Sequence, residues 1–244
     1  MESYTSFAEV YDEFMDQTPY EQWCKNVQMI FEQYRVPEHA DVVELGCGTG
    51  KMTRLLAECG YGMTALDSSA EMLEIAVNQR EDNTLYVLQD MVKLELPGQI
   101  DAVISICDCM NYILEKEDLQ EVFGRVRRYL KPQGVFLFDM NSRYKYEELL
   151  DDHTFAEDRE ECSFIWDNFY DWDERINEYQ LSLFIQNETG MYDKFEEVHF
   201  QKAYDQEEVE KMLKNAGFQK IKVLDADTME EPAKQTERLY YIAQ

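Results

Sequence analysis

The stretch VVELGCGTGKMT, residues 42–53, constrains this chain more than any other. A short apolar run (Val42, Val43, Leu45) carries one acid, Glu44, and meets three glycines at alternate positions, Gly46, Gly48 and Gly50. Met52, Leu55, Leu56 and Cys59 follow at helical spacing. The pattern predicts strand, tight turn, helix. Glycines in such a turn permit positive φ and let a ligand approach the main chain closely. Taken alone, the turn serves equally as an ordinary βα connection.

Further acids follow at strand ends. Asp67 closes the apolar run 61–66, 19 residues after Gly48. An acid at that distance, at the tip of a second strand, suits a ribose diol. Asp90 ends LYVLQD and Asp108 ends DAVISICD. Polar residues at the tips of four successive strands describe a site along the carboxyl edge of a doubly wound sheet.

The periodicity extends this α/β reading. Strands are expected at 42–46, 62–67, 84–88, 101–106 and 134–139, and helices at 51–59, 69–79 and 117–130. KPQG (131–134) reads as a helix stop followed by the start of a strand. A helix at 206–216 and strands at 218–225 and 237–243 complete the pattern. Ahead of the glycine turn, Tyr4, Phe7, Tyr11 and Phe14 share one face of a helix at 4–15, and a second helix spans 20–34. The first is either a plain buried face or a lid, with Tyr11 nearest the ligand.

Between 142 and 204 the period changes. SRYKYEELLDD opens as a short helix. Phe164, Trp166, Tyr170 and Trp172 then share a face, and Tyr179, Leu181, Leu183 and Ile185 alternate with polar residues. That is period two, an antiparallel sheet of three or four strands with hairpin turns at DWDER and QNETG. Residues 153–204 hold 12 aromatics, more than a thin sheet needs for its own support. The surplus, Trp166 and Tyr170 included, lines either a substrate pocket or a contact between two copies of the chain.

In ELGCGTG, LDSS, QDM and DAVISICD the chain resembles class I S-adenosylmethionine-dependent methyltransferases. The resemblance covers residues 1–140 closely and 205–244 in outline. It implies a doubly wound, mostly parallel seven-stranded Rossmann-like sheet with an inserted small antiparallel sheet. Residues 1–141 with 205–244 would form the donor-binding domain, and 142–204 a substrate cover. It implies S-adenosylmethionine as cofactor, bordered by Gly46, Cys47, Gly48 and Gly50, with Glu44 near its amino-acid end and Tyr11 above it. Asp67 would hold the ribose, Ser68 and Met72 the adenine, and Asp90 the adenine amino group, flanked by Gln89 and Met91. Cys107 and Asp108 would close the floor, with Asn111 and Tyr112 facing the acceptor. Lys51 stands where a dinucleotide fingerprint needs its third glycine, so a pyrophosphate cradle is disfavoured.

Charge narrows the acceptor. The net charge is −28, shared as −14 in residues 1–140 and −14 in 141–244. Nucleic acid and anionic membranes are recognised by clustered Lys and Arg. The one basic cluster (Arg125, Arg127, Arg128, Lys131) sits where it complements a helix C-terminus. Neither partner is expected, and an Asn/Asp-Pro-Pro-aromatic tetrapeptide after strand four is missing. Cys24, Cys47, Cys59, Cys107, Cys109 and Cys162 lack metal-ligand spacing, as do the three histidines, so no metal is expected. Cysteine usage and the acidic N-terminus suggest a reduced, cytoplasmic protein.

Methyl transfer needs positioning in a dry pocket more than a fixed catalytic triad. An oxygen or nitrogen acceptor bearing a proton benefits from a base, for which His199 and His153 are candidates. The favoured reading is methylation of a small molecule. RNA or protein methylation, or a non-catalytic S-adenosylmethionine-binding partner protein, are the alternatives, with a nicotinamide oxidoreductase further off.

Overall fold

The computed structural model describes residues 7–80 and 84–244. Tyr4, the first aromatic of the expected N-terminal face, lies outside them. Strands β1 (Asp41–Leu45), β2 (Gly62–Asp67), β3 (Leu85–Leu88), β4 (Ile100–Ser105) and β5 (Leu130–Asn141) are joined by parallel pairing. Near the C-terminus β10 (Ile221–Asp225) and β11 (Arg238–Ala243) complete a seven-stranded sheet, ordered β10-β11-β5-β4-β1-β2-β3. Only β11 runs against its neighbours.

Helices cover both faces, which is why the central strands read as unbroken apolar runs. On one face α2 (Tyr20–Gln33) and α3 (Lys51–Glu58) pack Val27, Ile30, Phe31 and Leu56 against Ile104 and Leu137. On the other, α5 (Lys116–Tyr129) and α6 (Gln206–Asn215) pack Phe123, Val126 and Leu213 against Phe136 and Phe138. Alternate residues of β5 serve the two cores, and Phe138 stacks on Tyr241 with ring centroids 4.9 Å apart. β5 begins at Leu130, earlier than KPQG suggests, through a register shift against β4. Helix α4 (Ala70–Asn78) connects β2 to β3.

The chain runs β1, β2, β3 to one side and then returns to place β4 on the other side of β1. The carboxyl ends of β1 and β4 therefore flank a topological switch point, where such sheets leave a crevice.

The inserted residues form a second sheet of β6 (Thr154–Asp158), β7 (Cys162–Asp171), β8 (Ile176–Gln186) and β9 (Tyr192–Lys202), antiparallel throughout. The expected short helix before it is a π-helical turn over Lys145–Leu150. Helix α1 (Phe7–Phe14) lays Phe7, Val10 and Phe14 on Leu181, Leu183 and Phe164. Asn111 joins the two sheets. Its amide nitrogen donates to the Lys202 and Asn141 carbonyls at 2.9 and 3.3 Å, and its oxygen accepts the Asn141 N–H at 2.9 Å. Among the described residues no helix is long and apolar enough to cross a membrane.

Candidate functional site

The glycine turn takes the strained form its sequence suggests. Gly46, Gly48 and Gly50 have φ of 71°, 54° and 77°. A Cβ on Gly46 would stand 2.8 Å from the Cys109 sulfur, and one on Gly50 would stand 2.5 Å from the Tyr86 hydroxyl. Asp67, at the end of β2, locks the turn. One of its oxygens accepts the Gly48 N–H at 2.7 Å and the other accepts the Ser69 N–H at 2.9 Å. Burial raises its carboxyl above the usual range. Ser69 caps α4 by accepting the Met72 N–H at 3.1 Å.

These elements border a cleft of about 630 Å³ at the switch point. Tyr11, Glu44, Gly46, Cys47, Gly48, Asp67, Ser68, Met72, Met91 and Cys107 all line it. Gly50 lies behind the turn, where its missing side chain makes room for Tyr86. Gln89 and Asp90 face a lateral groove of about 390 Å³ that shares Asp67, Ser68 and Met91 with the cleft. The Asp90 carboxylate there accepts the Val92 N–H at 2.9 Å.

Glu44 sits at the bottom of the cleft, 2% exposed, and accepts a hydrogen bond from the Thr53 hydroxyl. Burial pushes its carboxyl up to about 8, against the lowering effect of Thr53. Burial likewise pushes the Cys107 thiol up to about 12, so it remains protonated at neutral pH. Two further cleft residues lie outside the donor set that the resemblance implies. Tyr20 and Lys51 pack together, with the ammonium 5.0 Å from the ring centroid.

A second cavity of about 510 Å³ opens on the other side of Tyr11, Cys107 and Tyr112, all of which it shares with the cleft. Its roof is the inward face of the second sheet, including Trp166, Tyr179, Leu181, His199 and Gln201. Its floor is the tip of β4, where Cys107 and Asp108 both take left-handed backbone, with φ of 75° and 51°. Two such residues in succession are a local strain of the kind that gathers at functional sites.

Asp108 therefore departs from its expected place. It lines the second cavity and not the cleft. Its carboxylate accepts Arg238 Nη2 at 2.7 Å and Gln201 Nε2 at 2.7 Å. Burial opposes its ionisation, but Arg238 and Lys145 outweigh burial and hold its carboxyl below the usual range. Arg238 also pairs with buried Asp139 and lies over the Trp23 ring, 5.1 Å from its centroid. Asn111 is fully buried and spent on the inter-sheet bonds, so it does not face an acceptor. His153 is exposed, bonded to the Asp151 carbonyl, and lines none of these hollows. Tyr170 turns away from the cavity to bond Glu147 at 3.1 Å, because it stacks on Tyr146 beneath the sheet.

His199 and Tyr112 do meet. The Tyr112 hydroxyl is 3.3 Å from His199 Nδ1, and His199 Nε2 is 3.2 Å from Glu197. Glu197 also accepts the Phe7 N–H at 2.9 Å. His199 and Glu197 are 3% and 2% exposed, so the pair lies behind Tyr112. Glu197 escapes a search for isolated histidines, yet its spacing of two from His199 on a strand places both on one face. That face is packed by α1 and borders the cavity. The exposed apolar side chains Ile165, Phe169 and Phe200 stand on the opposite face.

The fit to S-adenosylmethionine rests on chemistry present in the cleft. The buried Glu44 carboxyl suits an ammonium. Asp67 retains lone pairs for a diol after its two backbone bonds. Aromatic and thioether side chains of Tyr11, Tyr20 and Met72 suit a sulfonium and an adenine.

Comparison with known proteins points the same way. The family described as "Methyltransferase domain" matches residues 42–134. YqeM of Bacillus subtilis (strain 168), a methyltransferase by name, is 41% identical over 99% of this chain and 96% of its own. A similarly named methyltransferase of Geobacillus sp. (strain WCH70) is 32% identical over 99% of both chains. The crystal structure of an S-adenosylmethionine-dependent methyltransferase from Clostridium acetobutylicum ATCC 824 superposes with a TM-score of 0.88 at 28% identity, over 100% of this chain and 99% of that one.

Proposed function

The chain belongs to the class I S-adenosylmethionine-dependent methyltransferases, and on that premise we propose that it methylates an oxygen or nitrogen of a small molecule held in the second cavity. The observation that carries this reading is the position of Tyr112. It borders the cleft, the second cavity and the lateral groove at once, with the His199–Glu197 pair behind its hydroxyl.

When bound, S-adenosylmethionine supplies an electrophilic methyl group. Glu44 and Asp67 would hold its ammonium and ribose, and Ser68 and Met72 its adenine side, with Gln89, Asp90 and Met91 along the lateral groove. Tyr11 and Cys107, common to cleft and cavity, mark where donor and acceptor come together. Holding the two in near-attack geometry supplies much of the rate. Glu197, accepting from His199 Nε2, leaves Nδ1 as the basic nitrogen facing Tyr112. A proton leaving the acceptor passes to the Tyr112 oxygen as the Tyr112 proton moves to His199 Nδ1. A cavity of about 510 Å³, in a chain of net charge −28, suits a small acceptor better than RNA.

The test is incubation with methyl-labelled S-adenosylmethionine and a low-mass metabolite extract, beside bulk RNA and cell protein. Label in the low-mass fraction, reduced in Tyr112→Phe, supports the reading. Label only in RNA or protein replaces it with a macromolecular acceptor. Donor binding without any transfer indicates a non-catalytic binding protein.

A further inference from the structure

We propose that the acceptor is an anion whose carboxylate is bound by Lys145 on the wall of the second cavity. This rests on the reading of that cavity as the acceptor site. The argument comes from which hydrogen-bonding groups on its inner wall are already satisfied.

The carboxylate and amide oxygens there already accept hydrogen bonds from the protein. Asp108 accepts from Arg238 and Gln201, each at 2.7 Å. The Gln201 oxygen accepts the Tyr146 hydroxyl at 2.6 Å and the Tyr179 hydroxyl as well. Glu197 accepts from Phe7 and His199. The Asn141 oxygen accepts Lys145 Nζ at 3.2 Å. Asp227 and Glu237 also border the cavity, but both are exposed on its rim.

The cavity groups with the fewest protein partners are donors. Lys145 carries three N–H bonds and makes that one hydrogen bond, with no carboxylate within ion-pair distance among the described residues. Trp166, on the roof, has a buried indole N–H without a partner. Buried donors without partners are costly, and a ligand that supplies oxygens removes the cost. A cationic amine entering the same space would meet the Lys145 ammonium and the Arg238 guanidinium. Arg238 differs from Lys145 in that its charge is already paired with Asp108 and Asp139. Burial and the neighbouring Arg238 lower the Lys145 ammonium from its usual range, and the charges of Asp108 and Glu237 offset part of that.

The test fractionates the low-mass extract by ion exchange into anionic, neutral and cationic pools, each incubated with labelled S-adenosylmethionine. The expected result is label in the anionic pool that survives phosphatase treatment. Lys145→Met should lower its incorporation at limiting extract at least tenfold, and Lys145→Arg should restore most of it. Donor affinity, measured by calorimetry, should stay within twofold of wild type in both, and this also reports that they fold. Lys145→Gln replaces Lys145→Met if the latter does not melt cooperatively. Label in the neutral or cationic pool overturns the anionic acceptor. Loss of label with phosphatase overturns the carboxylate. Undiminished labelling by Lys145→Met overturns the role of Lys145 while leaving the small-molecule reading standing. Label in no pool removes that reading and this inference with it.

Discussion

One carboxylate oxygen of Asp67 accepts the backbone N–H of Gly48 at 2.7 Å, so the acid at the tip of β2 and the glycine turn are one unit. Its other oxygen holds Ser69 at 2.9 Å. Removing the acid frees two main-chain donors as well as the diol contact. Asp67→Ala should therefore weaken S-adenosylmethionine binding by about 1.5–3 kcal/mol, roughly 10- to 150-fold. Titration calorimetry decides it, and wild-type affinity in the variant would remove Asp67 from the site.

Glu44, set against the donor's ammonium as proposed, makes binding proton-linked. Its carboxyl, pushed by burial up to about 8, is largely protonated at pH 7 in the free protein. A bound ammonium favours the carboxylate, so binding near pH 7 should release close to one proton. Calorimetry in two buffers of different ionisation heat measures this number, and Glu44→Gln should bring it to nearly zero.

The same group sets a sign for stability. The unfolded carboxyl titrates at about 4.3. Between there and about 8 the folded chain keeps a proton that the unfolded chain has lost. Stability of the ligand-free protein should therefore fall as pH rises through this window and level off above it. Urea unfolding at pH 5.5 and pH 7.5 compares the two, with Glu44→Gln flattening the difference.

The Tyr112–His199–Glu197 chain predicts coupled losses. If Tyr112 passes a proton to His199, Tyr112→Phe and His199→Ala should each slow transfer to a proton-bearing acceptor, by roughly 10²–10⁴. The double variant should lose little more than the worse single one. Transfer rates with the labelled low-mass fraction measure the cycle. Additive losses would mean that the two side chains act separately.

Gly50 tests the turn apart from the ligand. At φ 77° a Cβ is strained, and here it would also meet the Tyr86 hydroxyl at 2.5 Å. Gly50→Ala should destabilise the fold by about 1–3 kcal/mol, lowering Tm by several degrees. Pairing it with Tyr86→Phe should recover part of the loss, since that removes the oxygen nearest the new methyl group. A Tm that does not move would show that the turn relaxes freely.

The glycine turn and the cleft beside it were legible in the sequence because each piece is local. Gly46 and Gly48 declare their backbone by lacking a side chain, and Asp67 declares its place by ending an apolar run. Neighbouring parallel strands bring such tips together whatever the surrounding side chains do. Period two likewise announced the second sheet and put His199 on a strand. What the sequence left open was every choice between equals. Asn111 and Tyr112 are adjacent, yet one is spent joining two sheets and the other faces both hollows. His153 and His199 are alike in type, yet one lies on the surface and the other is backed by Glu197. The second cavity draws Tyr112 from the short helical turn after β4, Lys145 from a π-helical turn, His199 from β9 and Arg238 from the start of β11. Their meeting depends on strand order, on the left-handed tip at Cys107 and Asp108, and on how α1 seats the second sheet. Those are packing relations between distant segments, and only the tertiary structure decides them.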